Sequence, residues 1–246
     1  MTGGSGYLGS ALVRELIAAG HRVTAPVRSG DAALTVGRLG AEPVVGDLFD
    51  ADWLAGLFTA ADAVAHLAAT GDATTQRLDR GVLAAATRAG RPYVHTSGVW
   101  LWGSNPAITE VSPVQPPELT AWRIPVEEAV LTSGLVVTIL APGIVHGHGG
   151  GIPARLAAAR TPDGRVPVIG GGAQHWTTVH VNDVAALYRI VLERGEGLGY
   201  LLGVSGHNPT VRELTEAVAG GPDRVAAETP EESRERLGPQ RADALM

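Results

Sequence analysis

Residues 2–9 read TGGSGYLG, and a helical pattern begins inside them. Gly3, Gly6 and Gly9 fall at the spacing G-x-x-G-x-x-G. Leu12, Val13, Leu16 and Ile17 share one face of residues 9–19, and Gly20 ends the run. A glycine turn that opens a helix lets backbone approach a ligand closely. It also presents free N–H groups at the positive end of the helix dipole, the arrangement that holds a diphosphate. A dinucleotide is therefore the first expectation. Tight glycine turns also arise for steric reasons alone, but here the segments that follow agree with a ligand.

In a nucleotide-binding βαβ unit such a loop leaves the carboxyl end of a buried strand. Only Met1 and Thr2 precede these glycines. The expectation is a sheet whose first, central strand is missing from this chain, and a biological start upstream of Met1 that adds an apolar stretch of about six residues, a usual strand length. The last residues, ADALM, stop without a turn or a charged tail, so truncation is expected there as well.

Downstream, apolar runs at His21–Val27, Ala41–Val45, Ala63–Leu67, Pro92–Ser97 and Leu135–Ala141 alternate with helical patterns near 9–19, 51–60, 76–90 and 122–133. Asp50 is placed to cap the second of these helices. Short buried strands alternating with helices predict an α/β fold, a doubly wound parallel sheet covered on both faces. Right-handed connections would gather the loops along the carboxyl edge of the strands. Residues 1–145 are expected to form this core, with 176–195 returning to it. Residues 146–175 and 196–246 are expected to form a smaller C-terminal lobe, with a strand, a turn and a helix capped at Thr210 over 199–220. The cleft between core and lobe would take substrate.

Composition narrows the chemistry. The net charge is −6 with scattered basic residues, which argues against a nucleic-acid partner. There are no cysteines, which excludes disulfides and thiolate catalysis and is compatible with the cytoplasm. The strongest apolar run, around 135–145, is too short to cross a membrane and contains Pro-Gly. All 19 Lys+Arg residues are arginine, so no mechanism can use a catalytic lysine.

TGGSGYLG at the start, GDL at 46–48, HLAA at 66–69, HTSGVWLWG at 95–103, APGIVHGHGGG at 141–151 and TVHVND at 178–183 occur in that order. Together they resemble the extended short-chain dehydrogenase/reductases, the NAD-dependent epimerase/dehydratase family, and within it a branch of nucleoside-diphosphate-sugar epimerase-like proteins. The resemblance spans nearly the whole chain and implies a Rossmann fold. It implies that Gly3, Gly6 and Gly9 hold the pyrophosphate with backbone contacts from Tyr7 and Leu8. Asp47 and Leu48 would flank the adenine, Ala68 and Ala69 would line the ribose and nicotinamide path, and Pro142 and Gly143 would pass near the carboxamide. His180 and Asp183 would be structural, Asp183 helping to cap a helix over 183–194.

Arg28 lies just past the second strand, where the adenosine ribose is read. An acidic residue there binds the 2′-hydroxyl of NAD, whereas an arginine pairs with the 2′-phosphate of NADP. The segment VRS holds no acid until Asp31, which points to NADP, with NAD still open and a solvated strand-end arginine as the alternative.

The family's chemistry rests on a tyrosine that transfers the proton, a lysine four residues later and a serine. Alignment on VEEAVL (126–131) puts Leu119 at the tyrosine position, Arg123 at the lysine position and Gly98 at the serine position. All three depart from the pattern. None of the four tyrosines substitutes well: Tyr7 is a wall of the cofactor loop, and Tyr93, Tyr188 and Tyr200 read as packing. Thr96 and Ser97, at the carboxyl end of the fifth strand-like run, could orient a carbonyl. Arg123 could hold the ribose and the nicotinamide-side phosphate. His146 has the right intrinsic pKa for general-acid work; with His148 it also fits a solvated glycine loop, and no third ligand at a recognisable spacing supports a metal site. Trp100, Trp102, Trp122 and Trp176 either stack on a flat substrate or fill the junction of core and lobe.

The expected activity is NAD(P)-dependent oxidoreduction or epimerisation of a carbonyl or hydroxyl carbon of a small molecule or nucleotide sugar. The rivals are a dinucleotide-binding sensor without turnover and a non-redox isomerase on the same fold. A helix pair near 76–90 and 122–133 could form a homodimer.

Overall fold

A computed structural model describes residues 1–246. The strands are β1 (Thr24–Val27), β2 (Glu42–Val45), β3 (Val64–His66), β4 (Tyr93–Thr96), β5 (Val137–Pro142), β6 (Ile144–Gly147), β7 (Val166–Val168), β8 (Thr178–His180), β9 (Gly199–Gly203) and β10 (Val225–Ala227). The helices are α1 (Tyr7–Ala18), α2 (Gly30–Arg38), α3 (Ala51–Thr59), α4 (Thr75–Ala89), α5 (Glu118–Ala121), α6 (Ile124–Leu131), α7 (Gly151–Ala158), α8 (Val181–Arg194), α9 (Val211–Ala219), α10 (Pro230–Leu237) and α11 (Pro239–Leu245).

Every strand pairing is parallel: β2 with β1, then β3, β4, β5 and β9 in that order. Met1 and Thr2 run between the two groups. The Met1 amino group donates to Thr24 O at 2.7 Å, Thr2 N–H donates to Ala65 O at 3.0 Å, and Leu67 N–H donates to Thr2 O at 3.3 Å. The strand order therefore reverses at Thr2, immediately before the glycine loop. Ligands of open α/β sheets bind at such a reversal.

The apolar runs become strands because β-branched and alanine residues fill both faces of a covered sheet. One core unites α1, β1 and α8 through Leu12, Val13, Ala25, Val184 and Tyr188; another unites α3, α4 and β5 through Leu54, Phe58, Leu78, Val82 and Ile139. Asp50 accepts from Asp52 N–H and Trp53 N–H and so caps α3 as the sequence indicates. Thr210 and Glu213 close a capping box on α9.

Three features differ from the sequence reading. A helix, α2, stands between β1 and β2, capped by Ser29 accepting from Ala32 N–H. Strand β9 adds to the core sheet beside β5, although it lies in the segment expected for the lobe, because its Tyr200 to Gly203 ladder continues the buried edge of β5. His180, not Asp183, is the N-cap of α8, accepting from Asn182 N–H; Asp183 sits in the first turn. The C-terminal elements β7, β10 and α9 share a small core of their own (Val166, Val168, Ala219, Val225).

Candidate functional site

The parallel strands carry the sequence-singled residues to one edge. Arg28 follows β1, Asp47 and Leu48 follow β2, Ala68 and Ala69 follow β3, Thr96 ends β4 with Ser97 next, and Pro142 ends β5 with Gly143 next. The glycine loop lies in their middle.

Gly3 has φ +76°, and a Cβ there would stand 2.6 Å from Ala68 N. A Cβ on Gly9 would stand 1.9 Å from Gly3 O. The loop thus packs backbone on backbone, which only glycine permits. Gly6 is the N-cap of α1 and offers no side-chain cap, the first turn holds no acidic residue, and the N–H groups of Tyr7, Leu8 and Gly9 donate to no carbonyl. These three donors, at the positive end of α1, form an anion cradle. A diphosphate fits it.

Tyr7 turns away from the cradle toward the lobe. Its hydroxyl donates to Gly147 O at 2.8 Å, and a Cβ on Gly150 would meet its ring at 2.2 Å. The glycines of HGHGGG therefore let a hairpin, bridged at His146–Gly151 and Gly147–Gly150, seat on the cofactor loop. In that hairpin His146 stacks edge-on to His180, ring centroids 5.4 Å apart, and His148 lies 5.3 Å from the same ring. Burial and the neighbouring His180 hold the His146 imidazole below its ordinary pKa, with the Asp183 charge acting the other way.

At the adenosine end, Arg28 is exposed and makes no ion pair; its charge helps hold the Asp72 carboxyl low, behind the hydrogen bonds that Asp72 accepts from Thr74 and Thr70. Asp47 Oδ1 accepts from Phe49 N–H at 2.9 Å, which fixes the turn after β2. The Leu48 side chain packs into the core beside Leu54 and Phe58, leaving its backbone at the edge. The Arg77 guanidinium stacks on Phe49, 4.2 Å from the ring centroid.

At the opposite end the hydroxyls are committed. Thr96 Oγ1 donates to His66 O at 2.6 Å and lies 2.6 Å from the Tyr188 hydroxyl. Ser97 Oγ donates to Glu127 Oε1 at 2.7 Å. Arg123 begins α6, donates to Thr96 O at 3.3 Å and stacks on Trp122 at 4.7 Å. Its charge thus stands beside the carboxyl end of β4, where the lysine of the family's pattern would act. A Cβ on Gly98 would find only Pro142 O within 4 Å, at 3.9 Å, so the serine position is open space. Burial pushes the Tyr188 phenol up, beyond use as an acid.

Beneath this edge lies a buried polar chain. Thr2 Oγ1 is 2.6 Å from His66 Nδ1, and His66 Nε2 is 2.9 Å from Asp79 Oδ1. All three are buried, which suits a structural tie between the strands and α4 rather than contact with substrate. Trp102 packs edge-on to Tyr200 against the β5–β9 part of the core sheet, and Trp100 packs edge-on to Trp176 in the cluster of Ile144, Leu156, Ile169 and Val211.

Sequence reading did not single out Glu127, although Val126 and Val130 flank it at helical spacing on the buried face of α6. It also read Tyr188 only as packing and did not see Gly150 as the seat of Tyr7; the run of glycines at 149–151 was the available signal.

Fold and edge together define a parallel α/β protein with an anion cradle where the strand order reverses. Residues 3–188 match the family described as NAD(P)H-binding. An uncharacterized protein of Schizosaccharomyces pombe is 30% identical over 252 residues, covering 97% of this chain and 85% of its own length. A 4-hydroxy-2-methyl-3-oxo-4-farnesyl-3,4-dihydroquinoline-1-oxide ketoreductase of Stigmatella aurantiaca is 31% identical across 80% of this chain and 65% of that protein. A double mutant of a dTDP-glucose 4,6-dehydratase from Streptomyces venezuelae, solved with NAD and DAU bound, shares the fold at TM-score 0.78 and 24% identity, over 93% of this chain and 83% of that one. The chain belongs to the NAD(P)H-binding family and has the fold of the extended short-chain dehydrogenase/reductases. No helix is long and apolar enough to cross a membrane.

Proposed function

We propose that this protein is an NADPH-dependent reductase of small-molecule carbonyls. The observation that carries the reading is the cradle of unpaired N–H groups on Tyr7, Leu8 and Gly9 at the point where strand order reverses. The bound coenzyme would supply a hydride equivalent to the carbonyl carbon. Gly3, Gly6 and Gly9 admit the diphosphate, and Tyr7 and Leu8 donate backbone N–H groups to it. Arg28, free of ion pairs, favours the 2′-phosphate of NADP over the bare ribose of NAD. Asp47 and the Leu48 backbone border the adenine, Ala68 and Ala69 the ribose, and Pro142 and Gly143 the carboxamide. Arg123 supplies the fixed charge at the ribose beside β4. Thr96, Ser97 and His146 surround the place of the reacting carbonyl. Reduction is favoured over epimerisation because the ketoreductase relative aligns across 80% of this chain, whereas the nucleotide-sugar enzyme is a likeness of fold. A cytoplasmic location and a homodimer through α4 and α6 complete the proposal.

The test is NADPH oxidation against a panel of ketones, aldehydes and nucleotide sugars. Reduction of a ketone supports the reading; turnover confined to nucleotide sugars replaces it with an epimerase. A second reading, a dinucleotide sensor without turnover, draws on Leu119 and Gly98 at the positions of the family's tyrosine and serine. Tight NADPH binding with no turnover across the panel would favour it.

A further inference from the structure

We propose that Glu127, acting through Ser97, supplies the proton that the family's missing tyrosine would deliver. This inference rests on the reductase reading above. Glu127 is fully buried, on the inner face of α6. Its Oε1 accepts from Ser97 Oγ at 2.7 Å, and its Oε2 has no partner within hydrogen-bond distance, although the Tyr200 hydroxyl acts on the carboxyl from β9. Ser97 directly follows β4 on the active edge and is itself buried; its neighbour Gly98 has open space where a Cβ would stand, and the relay requires the carbonyl to reach the serine through that space.

A buried carboxylate with one unpaired oxygen costs much more than the neutral acid in the same place. Burial pushes the Glu127 carboxyl above its ordinary value. The groups facing it act in both directions: the Ser97 hydrogen bond, Arg123 from the start of α6 and Tyr200 from β9 lower it, while Asp79 from α4 raises it. The net displacement is upward, toward neutrality. The other candidates at this edge move the wrong way, since His146 is lowered and Tyr188 is raised out of range.

The step balances. As the carbonyl carbon accepts the hydride equivalent of the reduced nicotinamide, Ser97 Oγ gives its proton to the carbonyl oxygen, forming the alcohol O–H. For this the Ser97–Glu127 bond runs in the reverse of its resting direction: Glu127, protonated on Oε1, gives that proton to Ser97 Oγ, which leaves the serine's own proton for the carbonyl. The resulting carboxylate is reprotonated from solvent after product leaves. Glu127 is thus a positioning and proton-storing residue, and Ser97 is the group that touches substrate.

The experiment uses Glu127→Gln, which can still accept from Ser97 and so keeps the structural tie. Infrared difference spectroscopy of wild type against Glu127→Gln across a pH titration, with no substrate, should show the C=O stretch of a protonated carboxyl in the wild type persisting above the pH at which an ordinary glutamate loses it. Loss of that band at the ordinary glutamate pKa would overturn the relay, whatever the activity. With NADPH and a reducible ketone, Glu127→Gln should bind coenzyme as the wild type does while kcat falls by about 100-fold or more. Ser97→Ala should lose as much while keeping the protonated-carboxyl band. Unchanged kcat and pH profile in Glu127→Gln would leave the residue a structural tie only, and the relay would be wrong. A protonated carboxyl in a protein that reduces no carbonyl would instead remove the reductase reading and the relay's task with it.

Discussion

Gly9→Ala puts the cofactor cradle to a quantitative test. A Cβ at residue 9 falls 1.9 Å from Gly3 O, 2.7 Å from Gly3 C and 3.0 Å from Gly4 Cα, all backbone that no rotamer change can move. To reach an ordinary contact the loop must shift by more than 1 Å relative to α1. Hydrogen bonds of about 2.9 Å from the α1 N–H groups to a diphosphate would lengthen past the distance at which they count as bonds. Losing one or two bonds to a charged acceptor costs about 3 kcal/mol, or about two orders of magnitude in Kd. Overpacking also costs the fold about 1–3 kcal/mol. The assay is calorimetric titration with NADPH at a temperature where circular dichroism shows the variant folded. Folded Gly9→Ala that binds NADPH within about twofold of wild type would refute the placement of the diphosphate against α1.

Arg28→Glu should reverse a preference for NADPH over NADH, seen as Kd values for the two coenzymes; an unchanged ratio would discard the 2′-phosphate assignment. The triple change Gly98→Ser, Leu119→Tyr, Arg123→Lys rebuilds the family's pattern at positions where the serine Cβ has room; it should raise kcat on a reducible ketone, and a fall would mean that this site works differently. Asp50→Ala removes the two bonds that cap α3 and should cost about 1 kcal/mol by urea unfolding with binding unchanged. Because the folded Glu127 pKa is raised, the native state holds its proton longer than the unfolded chain does. Its contribution is full below the ordinary glutamate pKa and is lost as pH rises through the folded value. Wild type should therefore lose stability relative to Glu127→Gln on going from pH 4 to pH 7, and parallel curves would contradict the upward displacement.

What the sequence made legible was whatever periodicity and turn chemistry encode locally. The five core strands, α1, α3 and α4 follow from apolar spacing, and Asp50 and Thr210 cap where their side chains predict. Helix α2 escaped because it is short and glycine-bounded, with only Val36 fully buried. The core place of β9 depends on pairing with β5, a tertiary choice that strand pattern alone does not announce. The residues proposed for the cofactor end could be named from the sequence because they follow strand ends one after another. The chemical end was not legible in this way. Thr96 and Ser97 could be proposed from their place after the strand, but their hydrogen-bond partners, Tyr188 and Glu127, come from 92 and 30 residues away. Glu127 became meaningful only when its burial and its unpaired oxygen were seen together.

The most direct test of the central claim is an NMR titration of the ¹⁵N-labelled protein with NADPH. The amide resonances of Tyr7, Leu8 and Gly9 are expected to move in a saturable way, together with that of Arg28. If those four stay in place while NADPH binds, or if NADPH does not bind at all, the coenzyme does not lie against α1 and the account of this site is wrong.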